Sequence, residues 1–403
     1  MNEIIFIGGI VPECKYQETM EQYGAIPQAA ADMLQKSIIN GLEENGVKVT
    51  VFNCSFLPAG ILNFERTEAY TFDGKYGENY NLSYIRNKIL AFNSKSNSII
   101  KAVSSYIEAN YKEGETVKIF VYPAYFPFMR AIKKLKKTYN INACLAIPDL
   151  PQFMGVGAKS NLHHRLSSFY SKAQFEKNLE CIDSFVLLTE YMNEQINVYN
   201  RPFKVMEGIV PSNYDREAYV DSEIKTIVYS GGINFNYGVG KLLEAIKLVE
   251  YKNVKFRFYG NGDAVEALKS AEETDSRIEY MGSVGVQELH KIQQQAFALV
   301  NPRDNTIASA KYSFPSKNLE YLMSDRPVIA YMLDGIPKEY KKYTITPKNA
   351  SAKALAETID LVLCSDEDEL RAFGKQAGDF VREYKNPKSQ TKKILELLEA
   401  EVN

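Results

Sequence analysis

The feature that most constrains this chain is a rhythm. Short β-branched and aromatic runs alternate with helix-period segments through most of its length, in two series that break at Arg201-Pro202. A parallel strand reaches its neighbour only through a long crossover, usually a helix, so the alternation predicts an α/β chain of parallel sheets flanked by helices. In the first series Ile4 to Ile7 is a strand, Gly8-Gly9 a tight turn, and Pro27 to Glu44 a helix ended by Gly46. Val47 to Asn53, Val117 to Tyr122, Cys144 to Ile147 and Ser184 to Leu188 are its later strands, the last one closing the series. The second series places strands at Thr226 to Ser230, Lys255 to Tyr259, Ile278 to Tyr280, Ala298 to Asn301 and Val328 to Tyr331. Gly60 to Asn81 is rich in Tyr, Gly, Asn and Glu without clear periodicity, and reads as a long loop near a binding cleft.

At 403 residues the chain exceeds what one core supports. The expected division is a Rossmann-like domain over 1–200, a second over 201–380, and a helical segment over 381–403 that packs back on the first. Two such domains imply a cleft between them, at the C-terminal ends of both sheets. Lys plus Arg number 48 against 50 Asp plus Glu, so no global field selects nucleic acid and an anion site must be local. The five cysteines are scattered and never in a CxxC pair, which points to a reducing cytoplasm rather than disulfides or structural zinc. MNEIIFIGGIVPE is acidic where a signal peptide is basic, and reads as a first strand. No run approaches the roughly 18 apolar residues that span a bilayer. Peripheral membrane contact is the remaining option, through RAIKKLKKTYN (Arg130 to Asn140), where Ile132 and Leu135 stand beside four lysines; a solvated helix face is the competing reading.

Chemistry concentrates in Lys311 to Ala330, KYSFPSKNLEYLMSDRPVIA, where a Pro-containing loop enters a short helix and then a strand. A helix N-terminus offers free N–H groups and partial positive charge, so Ser316 and Lys317 suit a phosphate. Glu320, a turn further on, suits hydroxyls attached to the same anion, and the combination describes a nucleotide sugar. The competing reading makes Pro315 a plain helix starter and Lys317 and Glu320 solvated charges. After the first strand of the second series, Gly231 and Gly232 permit a tight turn and close approach to a diphosphate, as they would permit a purely structural turn.

Five blocks occur in order: MEGIVP at Met206, YSGGINFNYGVGKLLEAI at Tyr229, RFYGNGD at Arg257, YMGSVGVQEL at Tyr280 and NPRDNTIASAKYSFPSKNLEYLMSDRPVIA at Asn301. Together they resemble the donor domain of GT-B fold glycosyltransferases of retaining family 4, capsular and O-antigen members included. The first half is similar more loosely, through Gly8-Gly9, IPQAAADMLQKSIINGLEENG and IDSFVLLTEYM. The resemblance implies two Rossmann-like domains and sugar transfer with retention from a nucleotide diphosphate sugar, a UDP-sugar above all. It further implies a saccharide or lipid-linked saccharide acceptor and a setting in bacterial surface polysaccharide or glycoconjugate synthesis, and with a helix N-terminus, Lys317 and Arg303 on the diphosphate no metal is expected.

Carried over by position, the family's paired glutamates fall on Tyr312 and Glu320, so ribose recognition transfers to Glu320 alone. The arginine and lysine that bind diphosphate in many relatives fall on Gly232 and Tyr237. Arg303 and Lys317 are the replacements, against the competing reading of an Arg303–Asp304 surface pair. The donor set is thus Gly231, Gly232, Arg303, Ser316, Lys317 and Glu320. On the acceptor side stand Gly9 and Asp149, which follows Pro148 at the family's histidine position and either handles the acceptor hydroxyl proton or caps a turn. The adjacent His163 and His164 point apart on a helix, poor geometry for joint metal binding, and Asp366-Glu367-Asp368 reads as a helix start. Two other classes compete with a transferase: a non-catalytic GT-B partner protein, motivated by the missing cations, and a nucleotide-sugar epimerase, separable by product analysis.

Overall fold

A computed structural model of the chain describes residues 2–58, 64–150, 175–196, 199–211 and 214–400. Two compact units form, Met1–Ile209 with Pro387–Asn403, and Val210–Asn386. No helix among the described residues is long and apolar enough to cross a membrane.

The first unit's strands are β1 (Glu3–Gly8), β2 (Lys48–Asn53), β3 (Tyr70–Gly74), β4 (Gly77–Asn81), β5 (Val117–Val121), β6 (Ile141–Ile147), β7 (Ser184–Leu187) and β8 (Phe203–Val205). Their order in the sheet is β3-β4-β2-β1-β5-β6-β7-β8. All neighbours pair parallel except β3 with β4, an antiparallel hairpin. Every residue of β6 is buried, as expected for a strand covered on both faces, and all but Asn142 are apolar. At the C-terminal edge, buried Asn53 accepts from Ile10 N–H at 2.7 Å and donates to Asn81 Oδ1 at 2.8 Å, joining the loops after β1, β2 and β4.

Three expectations need correction here. Gly60 to Asn81 is not one long loop: β3 and β4 form its second half and extend the sheet, with Tyr80 stacked on Phe52 at 5.1 Å. Ser184 to Leu187 does not close the series, because β8 pairs in parallel beyond it and carries the first unit past residue 200. The chain returns to the first unit only at Pro387, later than the expected residue 381. Its last helix, Pro387–Glu399, buries Ile394, Leu397 and Leu398 in the cluster around Ile4, Phe6 and Val49, and Asn142 donates to Leu398 O at 3.1 Å.

The second unit is a five-stranded, all-parallel sheet in the order β11-β10-β9-β12-β13, comprising β9 (Lys225–Ser230), β10 (Val254–Tyr259), β11 (Ile278–Gly282), β12 (Ala298–Asn301) and β13 (Val328–Ala330). Alternate side chains feed two cores. Ile227, Phe256 and Val300 meet Leu242, Ile246, Leu355 and Ile359 on one face. Val228, Leu299 and Val328 meet Leu319, Leu322, Ala377 and Val381 on the other. The helix Glu367–Tyr384 starts on Asp366, whose Oδ1 accepts from Asp368 N–H and Glu369 N–H at 3.0 Å each, so this acidic triplet is a helix cap.

Candidate active site in the second unit

The site is built where β9 ends and the helix Ser316–Met323 begins. Tyr321, fully buried on that helix, clamps the strand end: its Oη accepts from Ser230 N–H at 2.7 Å and donates to Ser230 O at 3.0 Å. Gln293 holds Ser230 Oγ from a third element at 3.0 Å. The chain then turns at Gly231 with φ of +117°, a backbone region that L side chains rarely enter. A Cβ on Gly231 would lie 2.2 Å from Lys317 Cε, so the missing side chain is what lets the lysine cross the turn.

Lys317 ends against Tyr229. Its Nζ donates to the phenol oxygen at 2.8 Å and lies 4.2 Å from the ring centroid, while the phenol donates to Gly232 O at 2.6 Å. Arg303, just after β12, donates to Ser313 Oγ at 2.9 Å and leaves a buried Nε without a partner. Both cations lie 5.4 Å from the centroid of the Tyr237 ring. Neither has an ion-pair partner among the described residues, and the competing Arg303–Asp304 pair does not form: Asp304 pairs with Lys241. Burial pushes the Lys317 ammonium down to about 8, against a smaller opposing pull from Glu320. Burial likewise lowers Arg303 and raises the Glu320 carboxyl. For the two cations these shifts mark charge held out of water and only partly compensated, which an arriving anion would favour. Ser316 is exposed at the first turn of a helix whose N-terminus no side chain caps.

Sequence reasoning missed Tyr229, Tyr237 and Tyr321 as the groups that hold these cations and the turn. The available signal was a tyrosine near the C-terminal end of the strand, two residues before Gly231.

In the first unit, Gly9 donates its N–H to Gln35 Oε1 at 2.8 Å, and a Cβ there would lie 2.4 Å from the Phe56 ring, so that amide is already engaged. Asp149 follows β6 at the surface, near Tyr122, and partial desolvation raises its carboxyl. His163 and His164 lie outside the described residues. The basic helix Phe126–Leu135 does not offer Ile132 and Leu135 to a membrane: they are 0% and 1% exposed. Lys133 and Lys136 are tied to Glu180 at 3.1 Å and Asp183 at 2.5 Å, leaving Lys134 and Lys137 as the exposed pair.

Residues 224–365 match the family described as Glycosyl transferases group 1, so most of the second unit is similar to that family's domain. Across the whole chain, the fold is similar to sucrose-phosphate synthase from Thermosynechococcus elongatus, with 14% identity, 98% of each chain covered and a TM-score of 0.63. It is also similar to a TarM variant from S. aureus solved with UDP (12% identity, 99% of this chain and 100% of that one, TM-score 0.58). A UDP-forming trehalose-phosphate synthase from Burkholderia xenovorans gives 11% identity, 99% of each chain and a TM-score of 0.61. No curated protein matches the sequence. At these identities the likeness establishes the fold, the GT-B architecture of two Rossmann-like domains.

Proposed function

We propose that the chain moves a sugar from a nucleoside diphosphate sugar to a hydroxyl of a saccharide acceptor, with the second unit holding the donor. The observation that carries this reading is the pair Lys317 and Arg303, desolvated on one tyrosine ring beside the Gly231 turn and lacking any ion-pair partner among the described residues. A donor diphosphate brings about two negative charges, which this pair and the Ser316 helix N-terminus complement. The same groups are aimed where charge grows on the departing phosphate, so leaving-group stabilisation is the main contribution to rate and no metal is required by the reading. Glu320 takes ribose hydroxyls, and Tyr312 leaves the family's other glutamate contact unmade.

The finer assignments belong to the same proposal: retention in the manner of family 4, UDP as the nucleotide, and a saccharide or lipid-linked saccharide acceptor in surface polysaccharide or glycoconjugate synthesis on the cytoplasmic side. Asp149 is the proton acceptor for the acceptor hydroxyl, its raised carboxyl moving it toward a working general base. Gly9 shapes the acceptor side through its packing on Phe56. The matched family and the UDP in the TarM structure support this reading.

A thermal-shift screen of nucleoside diphosphates and their sugars tests it. A ligand at 100 times its dissociation constant stabilises by roughly 2.7 kcal/mol, enough to rank donors. Lys317→Ala and Arg303→Ala should each lower turnover far more than melting temperature. Unchanged transfer kinetics in both would sink the assignment, and interconversion of free nucleotide sugars without an acceptor would make the chain an epimerase. A non-catalytic partner protein, the reading favoured by Gly232 and Tyr237 at the cation positions, would bind no nucleoside diphosphate at all.

A further inference from the structure

The first unit contains a pocket of about 240 Å³ at the C-terminal ends of β1, β2 and β4, the end of an open α/β sheet where ligands bind. Its walls come largely from two excursions that the sheet does not need for its connections. One is the helix Tyr16–Tyr23, inserted before the helix Ala29–Glu44 that completes the crossover from β1 to β2; the other is the segment carrying the β3–β4 hairpin.

The lining is polar, aromatic and formally neutral. Lys15 bonds Glu18 at 2.9 Å and Glu68 at 3.2 Å, and Arg86 is the second cation, with no carboxylate partner among the described residues. Arg86 donates through Nη1 to Tyr23 Oη at 3.1 Å and lines the pocket, so the rest of its donor fork is the polar edge a ligand would meet. Two acids balanced by two bases disfavour a phosphate or carboxylate ligand. Carboxylates, an exposed amide at Gln22 and an arginine beside tyrosine rings suit a molecule with many hydroxyls and an apolar face. The volume lies below the roughly 300–1,000 Å³ typical of drug-sized sites, so it holds one ring rather than an oligosaccharide.

We infer that this pocket binds a single neutral sugar unit of the acceptor, with Arg86, Gln22, Glu18 and Glu68 reaching its hydroxyls. The inference rests on the glycosyltransferase reading for its role, but the binding itself is separable from the donor site.

The test is saturation-transfer NMR on the full chain with methyl hexosides and, in parallel, methyl glucuronide, with UDP affinity measured on the same samples. At least one methyl hexoside should saturate in the millimolar range and bind more tightly than the glucuronide. Arg86→Met, which keeps the aliphatic stem, and Gln22→Trp, which fills the pocket from an exposed position, should each weaken it at least tenfold with UDP affinity unchanged. No hexoside binding, binding untouched by both substitutions, or a preference for the glucuronide overturns the inference. UDP binding without hexoside binding fails the pocket alone; hexoside binding without UDP binding fails the donor reading and leaves the pocket standing.

Discussion

Lys317 and Tyr229, 88 positions apart, are joined by a 2.8 Å hydrogen bond from ammonium to phenol, and the same phenol donates to Gly232 O. The lysine is therefore held by a neutral partner that an anion can outbid. Removing the ammonium in Lys317→Ala costs a charge-assisted contact of about 1.5–3 kcal/mol, so UDP affinity should fall roughly 10- to 150-fold. Tyr229→Phe keeps the ring under the cation and loses only neutral bonds, so a fall of under tenfold is expected by calorimetry. Equal losses in the two variants would mean that Tyr229, not Lys317, meets the nucleotide.

Diphosphate affinity should depend on pH through the same lysine. Its ammonium titrates near 8 in the free chain because burial disfavours the charge, and a bound anion favours it. Above pH 8 binding must therefore take up a proton, so affinity is level between about pH 7 and 8 and then falls by up to tenfold per pH unit. Lys317→Arg, charged throughout, should flatten the curve. A decline of the same slope in that variant would assign the titration elsewhere.

Gly231→Ala tests the turn. The φ of +117° strains any L side chain, at a cost of about 1–3 kcal/mol, and the new Cβ would meet Lys317 Cε. Denaturant midpoints should show Gly231→Ala and Lys317→Ala to be non-additive by at least about 0.5 kcal/mol, since removing the lysine removes the clash while the backbone strain stays. Additive effects would place the whole cost in the backbone.

What was legible in the sequence follows from burial. Strands covered on both faces, such as β6, announce themselves as apolar runs. The β3–β4 hairpin lies at the sheet edge with β3 burial alternating between partial and none, so its Tyr-Thr-Phe-Asp pattern merged with the polar residues around it. β8 has three residues after a proline, too few to show a period. The placement of Lys317 and Glu320 on a short helix and of Gly231 at a turn was readable, because both follow from local sequence. The tyrosines that hold them were not, because those contacts join separate elements. Periodicity likewise found the apolar stripe of the Phe126–Leu135 helix but not that the stripe is buried within the first unit.

Lys95 gives the last prediction. It is 4% exposed, 4.2 Å from the Tyr84 ring centroid, 5.3 Å from Phe56 and 5.4 Å from Tyr125, with Ser55 O at 3.4 Å as its hydrogen-bond acceptor. Burial pushes its ammonium down to about 8 from 10.5. The unfolded chain therefore holds the proton more tightly than the folded one between those values. The group's contribution to stability is fully present above about pH 10.5 and is lost as pH falls toward 8. At pH 7 that shift is a penalty of about 3 kcal/mol, set against about 2 kcal/mol of pH-independent contacts, the bond to Ser55 O among them, that an apolar replacement loses. Lys95→Met, similar in length and apolar, should stabilise the first unit by about 1 kcal/mol at pH 7, with the advantage shrinking and then reversing as pH rises to 10.5. Taking the difference between variant and parent at each pH removes the opposing titration of the buried tyrosines. A destabilised Lys95→Met at pH 7 would mean that the three rings hold the ammonium more strongly than burial disfavours it.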